Sequence, residues 1–394
     1  MFAPSPTPFA LCAPPADPNR LVVVAMSGGV DSAVVAGLLV EAGHRVVGMT
    51  MRLYNARGTT AAAGGRCCGP KDIDDARRVA DFLQIPHYVV DLENEFSETV
   101  VEDFIDSYLR GETPNPCVKC NQYIKFTPLL ERARAIGADA LATGHYARIL
   151  PVTAATAQGG LAPAADAARD SHMALWRGVD PQKDQSYFLF SMPTADLADV
   201  WFPLGAMTKP EVRAAATRLQ LPNACKQESH EICFVPDGNY AGFVATAALR
   251  RGRPMPGAGN IVRAGTGETL GTHQGVHRFT IGQHKGLGQL ITNEKLYVTA
   301  IDRASGTVTV GDYAAAISTR VRVRDFRWLT MPQPSPFMGQ LQVRHRGVPM
   351  TAQISVNGSE ATIEVAGDAQ VAAPGQAAVV YHNELVIGGG WVAC

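Results

Sequence analysis

The sequence predicts an α/β protein: a parallel-sheet domain with helices on both faces, then a small β-rich central domain and a C-terminal β-barrel. Three observations support this. From residue 20 to about 190, short apolar runs alternate with helical patterns, which is typical of a parallel sheet with crossover helices. After about 225 helical periodicity fades and glycines become frequent. From about 310 onwards only short strands are indicated, at the spacing of a small antiparallel barrel or sandwich.

Strands and helices alternate in the first half. The unbroken apolar run LVVVAM, Leu21–Met26, predicts a fully buried strand. Helical spacing of Ile73, Ala76 and Leu83 predicts an amphipathic helix in DIDDARRVADFLQI. The other predicted elements are the helix SAVVAGLLVEAG, the strands RVVGMTM and HYVVDL, the helix EFSETVVEDFIDSYLRG and a strand within ADALATGHYARI.

The second half is predicted to consist of strands. Four short β-rich runs come first: NIVRAG, GETLGTHQG, KLYVTAID and TVTVGD. Five further segments follow: RVRVRDFRW, GQLQVRHRG, MTAQISVNG, ATIEVAG and AAVVYHNELVIGGG. Alternation in RVRVR puts Arg320, Arg322 and Arg324 on one face of a strand, away from the valines.

Composition suggests the domain limits. Residues 1–19 contain six prolines and predict a disordered tail. An Ala/Gly/Pro-rich segment, 151–172, predicts a loop inserted between two strands. We therefore expect three domains: 20–225, which carries the first sheet, 226–305, and 306–394.

The bulk composition is that of an ordinary soluble protein. Of 394 residues, 46% are hydrophobic and 18% charged, and no apolar run approaches the roughly 20 residues of a membrane span. Nothing at the N-terminus reads as an export signal, so we expect the eight cysteines to be reduced thiols in a cytoplasm. The net charge of −1 leaves nucleic acid open as a partner, because a local basic face can bind a polyanion.

A glycine-containing turn joins the first strand to the first helix. Gly28 and Gly29 let the backbone approach a ligand, and the following helix presents free N–H groups to an anion. Ser27 and Ser32 add hydroxyl groups, and Asp31 is a possible Mg²⁺ ligand. The turn matches neither the Walker A loop nor the Gly-x-Gly-x-x-Gly dinucleotide motif. It predicts a phosphate site of another type.

Cysteines provide the second chemical signal. Cys117 and Cys120 lie two residues apart in TPNPCVKCNQYIKF, a spacing found in metal clips, redox dithiols and nucleophile sites. A zinc site would need a fourth ligand, and no second CxxC or paired histidine is visible. Cys233, in HEICFVPDGNY, is either a buried small hydrophobe or a sulfur carrier.

The motif SGGVDS, Ser27–Ser32, resembles the signature of the PP-loop ATP pyrophosphatases, whose domain is of the HUP, adenine nucleotide alpha-hydrolase-like, type. Enzymes of this kind transfer AMP to a carbonyl or carboxylate oxygen. Taken together, the motifs resemble those of the tRNA-specific 2-thiouridylases from residue 20 to the C-terminus. The further matching motifs are Thr113–Phe126, ATGHYAR at Ala142–Arg148, KDQSYFL at Lys183–Leu189, ICF at Ile232–Phe234, IGQHKGLG at Ile281–Gly288 and PGQAAVVY at Pro374–Tyr381.

This resemblance implies roles for individual residues. Cys233 would carry a persulfide whose terminal sulfur attacks the adenylated C2 of wobble uridine 34. Cys120 would then attack the persulfide, leaving a Cys120–Cys233 disulfide. The implied contacts to ATP and Mg²⁺ are Ala25, Met26, Ser27, Gly28, Gly29, Val30, Asp31, Ser32, Met51 and Gly144. The implied contacts to tRNA are His145, Lys183, Asp184, Gln185, Arg344 and His345.

The resemblance also implies partners. They are tRNA species accepting Lys, Glu and Gln, and a cysteine desulfurase or sulfur-relay protein that donates the sulfur. Basic residues offer further tRNA contacts. For each residue alone a solvated charge is the better explanation, but as a set on one side of the protein they would form a track for a polyanion. These residues are Arg250, Arg251, Arg253, His284, Lys285, Arg320, Arg322, Arg324 and Arg346.

One residue departs from the family pattern. Many members have aspartate where this chain has Cys117, so Cys117, Cys120 and Cys233 could instead hold an iron–sulfur cluster such as [4Fe-4S]. Lys119 and Lys125 flank Cys120 and would lower its pKa, meet phosphate, or stay solvated. Cys67 and Cys68 are interpreted as structural, and Cys12, Cys225 and Cys394 have no chemical context.

Two other functions remain open from the sequence. A PP-loop ligase for a small molecule would explain the phosphate loop but neither the spaced cysteines nor the β-rich C-terminal region. A non-catalytic nucleotide- or cluster-binding redox protein would share the fold without releasing AMP.

Overall fold

The computed structural model describes residues 12, 17–54, 69–152, 173–228, 232–235 and 237–393. Most of the predicted tail and nearly all of the predicted insertion, 151–172, lie outside the described residues, as do Cys67, Cys68 and Cys394. In the described part, no helix is long and apolar enough to cross a membrane.

The first sheet is parallel, as predicted. It has five strands, one more than the four that the sequence analysis named. Their order is third, second, first, fourth, seventh in chain numbering, and Val23 pairs with Val47 on one side and Leu141 on the other. The strands are β1 (Leu21–Ala25), β2 (Arg45–Arg52), β3 (His87–Asp91), β4 (Ala140–Ala142) and β7 (Val200–Trp201).

Helices cover both faces of this sheet. The α-helices of this part are α1 (Val30–Glu41), α2 (Pro70–Phe82), α3 (Glu93–Phe96), α4 (Glu102–Leu109), α5 (Pro116–Cys120), α6 (Leu130–Ala135) and α7 (Lys209–Arg218). Two segments are π-helical, Ser97–Val101 and Asn121–Leu129, and 3-10 turns occur at Ser186–Phe188, Thr194–Asp199 and Pro203–Ala206.

Residues of β1 alternate between two hydrophobic cores. Val22 and Val24 pack with α1, α2 and α7 on one face. Val23 packs on the other face, in a core that includes Phe104 of α4 and Val118 of α5. A strand buried on both faces is apolar throughout, which is why LVVVA lacks a polar position.

The central part combines a four-stranded sheet with a helix that the sequence analysis missed. Its strands, β8 (Gly259–Arg263), β9 (Thr269–His273), β10 (Tyr297–Asp302) and β11 (Thr307–Gly311), lie in the order β10-β11-β8-β9. The expectation that helical structure ends at about 225 is wrong for α8 (Tyr240–Arg250). This helix precedes a short 3-10 turn, Val276–Arg278.

The C-terminal part is a closed six-stranded barrel, which confirms the predicted architecture. Its strands follow one another in the order 12, 15, 14, 13, 16, 17, and the last pairs back with the first. They are β12 (Arg320–Trp328), β13 (Phe337–Gln342), β14 (Met350–Asn357), β15 (Glu360–Val365), β16 (Ala377–His382) and β17 (Leu385–Val392); a short helix, α9 (Tyr313–Ala316), precedes them.

A hairpin from the first part joins this barrel. It consists of β5 (Ala147–Pro151) and β6 (Met173–Arg177), and Trp176 pairs with Leu385 of β17. In β12 the arginines at 320, 322 and 324 are exposed and the valines between them buried, as predicted. The domain limits at 225 and 305 stay predictions.

Candidate active site

The turn between β1 and α1 is shaped by glycine. Gly28 has a φ of +70°, and a Cβ there would lie 2.2 Å from the carbonyl oxygen of Asp72. The Ser27 amide donates to Oγ of Ser32 at 3.1 Å, and that hydroxyl donates to the Gly29 carbonyl at 3.1 Å. Within the described part of the chain, no side chain caps the first turn of α1, so its N–H groups remain available to an anion.

Lys226 links this turn to α2. The Lys226 ammonium contacts the Gly28 carbonyl at 3.1 Å and bridges the carboxylates of Asp72, at 2.7 Å, and Asp75, at 2.6 Å. Asn223 donates to the carbonyl of Gly28 at 3.1 Å. Burial raises the pKa of the Asp75 carboxyl, but hydrogen bonds from Lys226 and Arg78 outweigh it and lower the pKa overall. The turn is therefore fixed to α2 by charge pairs.

A second group of charges meets the first turn of α1 at Asp31. The Lys209 ammonium lies 2.6 Å from Asp31 and 2.5 Å from Glu228. Lys183 also contacts Glu228, at 2.5 Å. Burial raises the pKa of Glu228, but hydrogen bonds from the two lysines outweigh it and bring its pKa to about 2. Two lysines and two carboxylates thus form a group of ion pairs beside the phosphate loop.

Helix α5 presents Cys120. Asn115 caps the helix by accepting from the Val118 amide at 3.5 Å, and Val118 is fully buried. Cys120 is partly buried and packs against the core below the sheet. Burial raises the pKa of its thiol, and the positive charge of Lys125 offsets this only in part. Of the two lysines predicted to act on Cys120, Lys125 is the one that lowers its pKa.

Cys233 packs against the same core. It is partly buried, and its neighbour Phe234 is buried against Phe96 and Phe104. None of the described cysteines, Cys117 and Cys225 among them, forms a disulfide. Among the described residues, no three His, Cys, Asp or Glu side chains form a group that could hold a metal. The predicted cluster ligands are therefore not gathered into a metal site.

His145 lies in an aromatic pocket next to the loop. Its Nδ1 is 2.7 Å from the Thr143 hydroxyl and its Nε2 is 3.5 Å from the Lys125 ammonium. An ammonium group only donates, so Nε2 accepts and Nδ1 carries the proton. Burial, and then the charge of Lys125, hold the pKa of His145 well below its usual range. His145 is a neutral imidazole at physiological pH.

Three family models match the chain along most of its length. The model described as the tRNA methyl transferase HUP domain matches residues 20–237. That of the tRNA methyl transferase PRC-barrel domain matches 250–312, and that of the aminomethyltransferase beta-barrel domain matches 318–392.

Full-length relatives decide the family. A tRNA-specific 2-thiouridylase MnmA from Solibacter usitatus is 43% identical over 95% of this chain and 100% of its own length. The enzyme of the same name from Rhodospirillum centenum is 45% identical over 94% of this chain and 91% of its own length. The chain belongs to the tRNA-specific 2-thiouridylase family.

Likeness to solved structures is weaker. An NMN synthetase from Francisella tularensis is 15% identical to this chain, with a TM-score of 0.31. The match covers 60% of this chain and 78% of the synthetase. A score this low supports no inference about the site.

The ATP contacts inferred from the thiouridylase family lie around the loop, with one in the core. A Cβ on Gly144 would lie 3.0 Å from the Ser32 amide, so this glycine lets β4 approach α1 closely. Met51 is buried in the core below the sheet. Their roles in ATP binding stay predictions, as do those of Ala25–Ser32.

Several of the side chains inferred to contact tRNA already form hydrogen bonds or ring contacts within the protein. Asp184 accepts from Arg177 at 2.9 Å, from the Gly178 amide and from Ser186. Gln185 accepts from the Tyr146 amide at 3.0 Å. His345 lies over the ring of Phe188 at 4.4 Å. Asp184 and Gln185 therefore shape the turn that presents Lys183, and Arg344 lies in the loop after β13.

Arg320 pairs with Glu364, and Arg324 pairs with Glu112 and Asp325. Two further basic residues pair with carboxylates of α4. Arg251 contacts Glu102, and Arg253 contacts Glu102 and, at 2.5 Å, Asp106. These pairs attach α8 to α4. Arg250, beside them, is exposed.

Sequence reasoning missed several residues of the site. Tyr146 lies inside the motif ATGHYAR but was given no role, and the other missed residues lie outside the family motifs, far along the chain from the loop. Lys226 and Glu228, in KQES shortly before Cys233, gave the one available signal. The missed residues are Tyr146, Lys209, Asn223, Lys226 and Glu228.

Proposed function

We propose that this protein is an ATP-dependent tRNA 2-sulfurtransferase that converts the wobble uridine 34 to 2-thiouridine. One observation carries the proposal: Cys120 and Cys233, from distant segments, pack against one core below the sheet that carries the phosphate loop. The names of the full-length relatives support the same reaction.

ATP binds in the turn Ser27–Ser32. The uncapped N-terminus of α1 offers N–H donors to the pyrophosphate, and the lysines of the neighbouring ion-pair group add ammonium donors. Mg²⁺ accompanies ATP as a neutralising ion. The C2 oxygen of uridine attacks the α-phosphorus, pyrophosphate leaves, and the oxygen becomes part of a good leaving group, AMP.

Sulfur transfer follows at the two thiols. The terminal sulfur of a persulfide on Cys233 attacks C2. The Cys120 thiolate then attacks the inner sulfur, so that the bond between the two persulfide sulfurs breaks and a Cys120–Cys233 disulfide forms. AMP leaves with the original oxygen, and C2 keeps the sulfur.

The pocket of His145 receives the base. A uridine attacked at C2 has to leave the anticodon stack, and enzymes of this kind bind the extruded base in a pocket. Neutral His145 lines this pocket with its ring held by Thr143 and by Lys125, whose ammonium lies 3.5 Å from Nε2. Lys183, Arg344 and His345 contact the tRNA around it.

The finer partners rest on family resemblance. The tRNA acceptors are those for Lys, Glu and Gln, the sulfur donor is a cysteine desulfurase or a relay protein, and the reaction takes place in the cytoplasm. A small-molecule ligase is disfavoured because it leaves the two thiols and the barrel without a role. The iron–sulfur route is disfavoured because the three cysteines form no ligand group.

The test is restoration of 2-thiouridine. Cells lacking the protein receive wild type, Cys120→Ser, Cys233→Ser or the matched control Cys225→Ser, and tRNA nucleosides are measured by mass spectrometry. Wild type and Cys225→Ser should restore 2-thiouridine, and the other two should not. Full restoration by Cys120→Ser or Cys233→Ser would refute the mechanism.

A further inference from the structure

The two cysteines of α5 differ in their surroundings. Cys117 is exposed, whereas Cys120 is partly buried against the core. Residues three apart on a helix share a face, with Cβ atoms about 5–6 Å apart. A disulfide needs about 3.5–4.5 Å, so a small adjustment of this turn joins the two thiols. An exposed first cysteine and a shielded second one suit a redox dithiol.

The proposed reaction creates a need for such a pair. Each turnover leaves a Cys120–Cys233 disulfide, and both cysteines pack against the same buried cluster, with Phe234 buried beside Cys233. A protein reductant has to bring its own thiolate onto one of the sulfurs. Packing of both cysteines against the core hinders that approach, whereas Cys117 faces solvent.

The middle of the motif is held in place by other parts of the protein. Lys119 lies 3.4 Å from Asp103 of α4, and its ammonium lies 4.6 Å from the ring of Trp391 in the barrel. Val118 is fully buried. These contacts hold Val118 and Lys119 in place, so Cys117 stays exposed and Cys120 partly buried. The adjustment that joins the two thiols is left to the cysteine side chains at the ends of the turn.

We propose that Cys117 is a resolving thiol that moves the disulfide from the core to the surface, an inference that rests on the proposed function. The Cys117 thiolate attacks Sγ of Cys120, the Cys120–Cys233 bond breaks, and Cys233 leaves as a thiolate that takes up a proton. A Cys117–Cys120 disulfide forms, with no net oxidation or reduction. An external dithiol reductant then attacks Sγ of Cys117, supplies two electrons, and becomes a disulfide itself.

This relay frees Cys233 before the reductant arrives. Cys233 can then accept its next sulfur atom and form a new persulfide, while the disulfide between Cys117 and Cys120 remains on α5. The exchange needs only pairs of thiols to meet in succession, which suits three cysteines that are not gathered into one group.

The test begins with one turnover. Protein carrying a stoichiometric persulfide is mixed with ATP and tRNA without reductant, quenched in acid, alkylated and mapped by non-reducing peptide mass spectrometry. Wild type should give a Cys117–Cys120 disulfide with Cys233 alkylated, and Cys117→Ser should give Cys120–Cys233. Wild type with Cys120–Cys233 bonded and Cys117 alkylated would overturn the relay.

Multiple turnovers give the second measurement. With a protein dithiol such as a thioredoxin as the reductant, Cys117→Ser should turn over at least tenfold more slowly than wild type, and a small phosphine should restore its rate. The matched variant Cys225→Ser should behave as wild type. Equal rates for Cys117→Ser and wild type with the protein reductant would contradict the relay.

A third measurement separates the relay from the thiolation. The free protein is equilibrated in oxidised and reduced dithiothreitol, and the Cys117–Cys120 pair is quantified by alkylation. If the enzyme forms no 2-thiouridine but the Cys117–Cys120 disulfide still forms, the proposed function is wrong and the redox pair is supported. If 2-thiouridine forms and the pair does not, the relay alone fails. A third outcome would also overturn the relay. If protein purified without oxygen contains iron, and Cys117→Ser loses that iron, Cys117 is an iron ligand.

Discussion

Gly28 is the residue on which the shape of the phosphate loop depends most directly. Its φ is +70°, and an added Cβ would overlap the Asp72 carbonyl at 2.2 Å. Gly28→Ala should lower the free energy of unfolding by about 1–3 kcal/mol and abolish ATP binding, because the loop has to move away from α2. Denaturant unfolding and calorimetric ATP titration measure the two effects.

Gly137 provides a matched control for this substitution. Its φ is +79°, but a Cβ there has no atom within 4 Å. Gly137→Ala therefore carries the backbone strain alone and should leave ATP affinity unchanged. Equal losses of ATP affinity in both variants would show that contact with Asp72 is unimportant.

The thiol of Cys120 should react more slowly at neutral pH than an ordinary cysteine. Burial raises its pKa and Lys125 offsets this in part, so the thiolate, which is the reactive form, accumulates only as pH rises above the usual range. We expect the rate of iodoacetamide labelling of Cys120 to increase with pH up to this raised midpoint. Peptide mass spectrometry across a pH series gives the profile.

Lys125→Met tests the cause of that profile. Loss of the ammonium removes a charge that stabilises the thiolate, so the labelling midpoint should move to higher pH. The methionine keeps the length and apolar stem of the side chain. A midpoint that moves to lower pH would show that Lys125 does not act on Cys120 through its charge.

At the scale of elements, the strands were predictable and one helix was not. LVVVA and RVRVR carry their own burial patterns, because a strand alternates or is apolar throughout. Helix α8 buries Val244, Ala247 and Ala248, and its two aromatic residues pack on α4 and on Phe234. These contacts, and the ion pairs with Glu102 about 150 residues away, join distant segments that local sequence does not reveal.

Substitution of Arg253 and Arg250 distinguishes structural from RNA-binding arginines on α8 and just after it. Arg253 bridges Glu102 and Asp106, so Arg253→Ala should lower the free energy of unfolding by about 1–2 kcal/mol. Arg250 is exposed, so Arg250→Ala should leave the free energy of unfolding unchanged. It should weaken tRNA binding and reduce the salt dependence of that binding by about one ion. Thermal unfolding and tRNA binding at several salt concentrations test both. The reverse pattern would contradict this assignment.

At the scale of the whole molecule, the site is assembled from segments that the sequence keeps apart. The loop Ser27–Ser32 was recognisable because its residues are consecutive. Lys226 and Asn223 reach it across about 200 residues, and no local pattern marks them. The same holds for Glu228, which meets Lys183 and Lys209 only in the folded chain.

The barrel supports the helix that carries Cys120. The Thr113 amide donates to the Pro374 carbonyl at 2.7 Å, and Gln376 donates to the carbonyls of Thr113 and Pro114 at 3.1 and 3.2 Å. Trp391 lies under Lys119. Because Pro114 is followed directly by the cap of α5, a shift of the barrel moves Cys120.

Gln376→Leu should therefore uncouple sulfur transfer from ATP binding. Loss of two hydrogen bonds lets the turn before α5 move, and a displacement of about 1 Å at a reacting group costs up to about a hundredfold in rate. We expect single-turnover thiolation to slow by at least about tenfold while ATP affinity is kept, because the phosphate loop makes none of these contacts. Gln353→Leu, at an exposed position of β14, is the matched control and should match wild type in both measurements. If Gln376→Leu thiolates tRNA at the wild-type rate, the barrel does not position Cys120, and its contribution has to be sought in tRNA binding through Arg320 and its neighbours on β12.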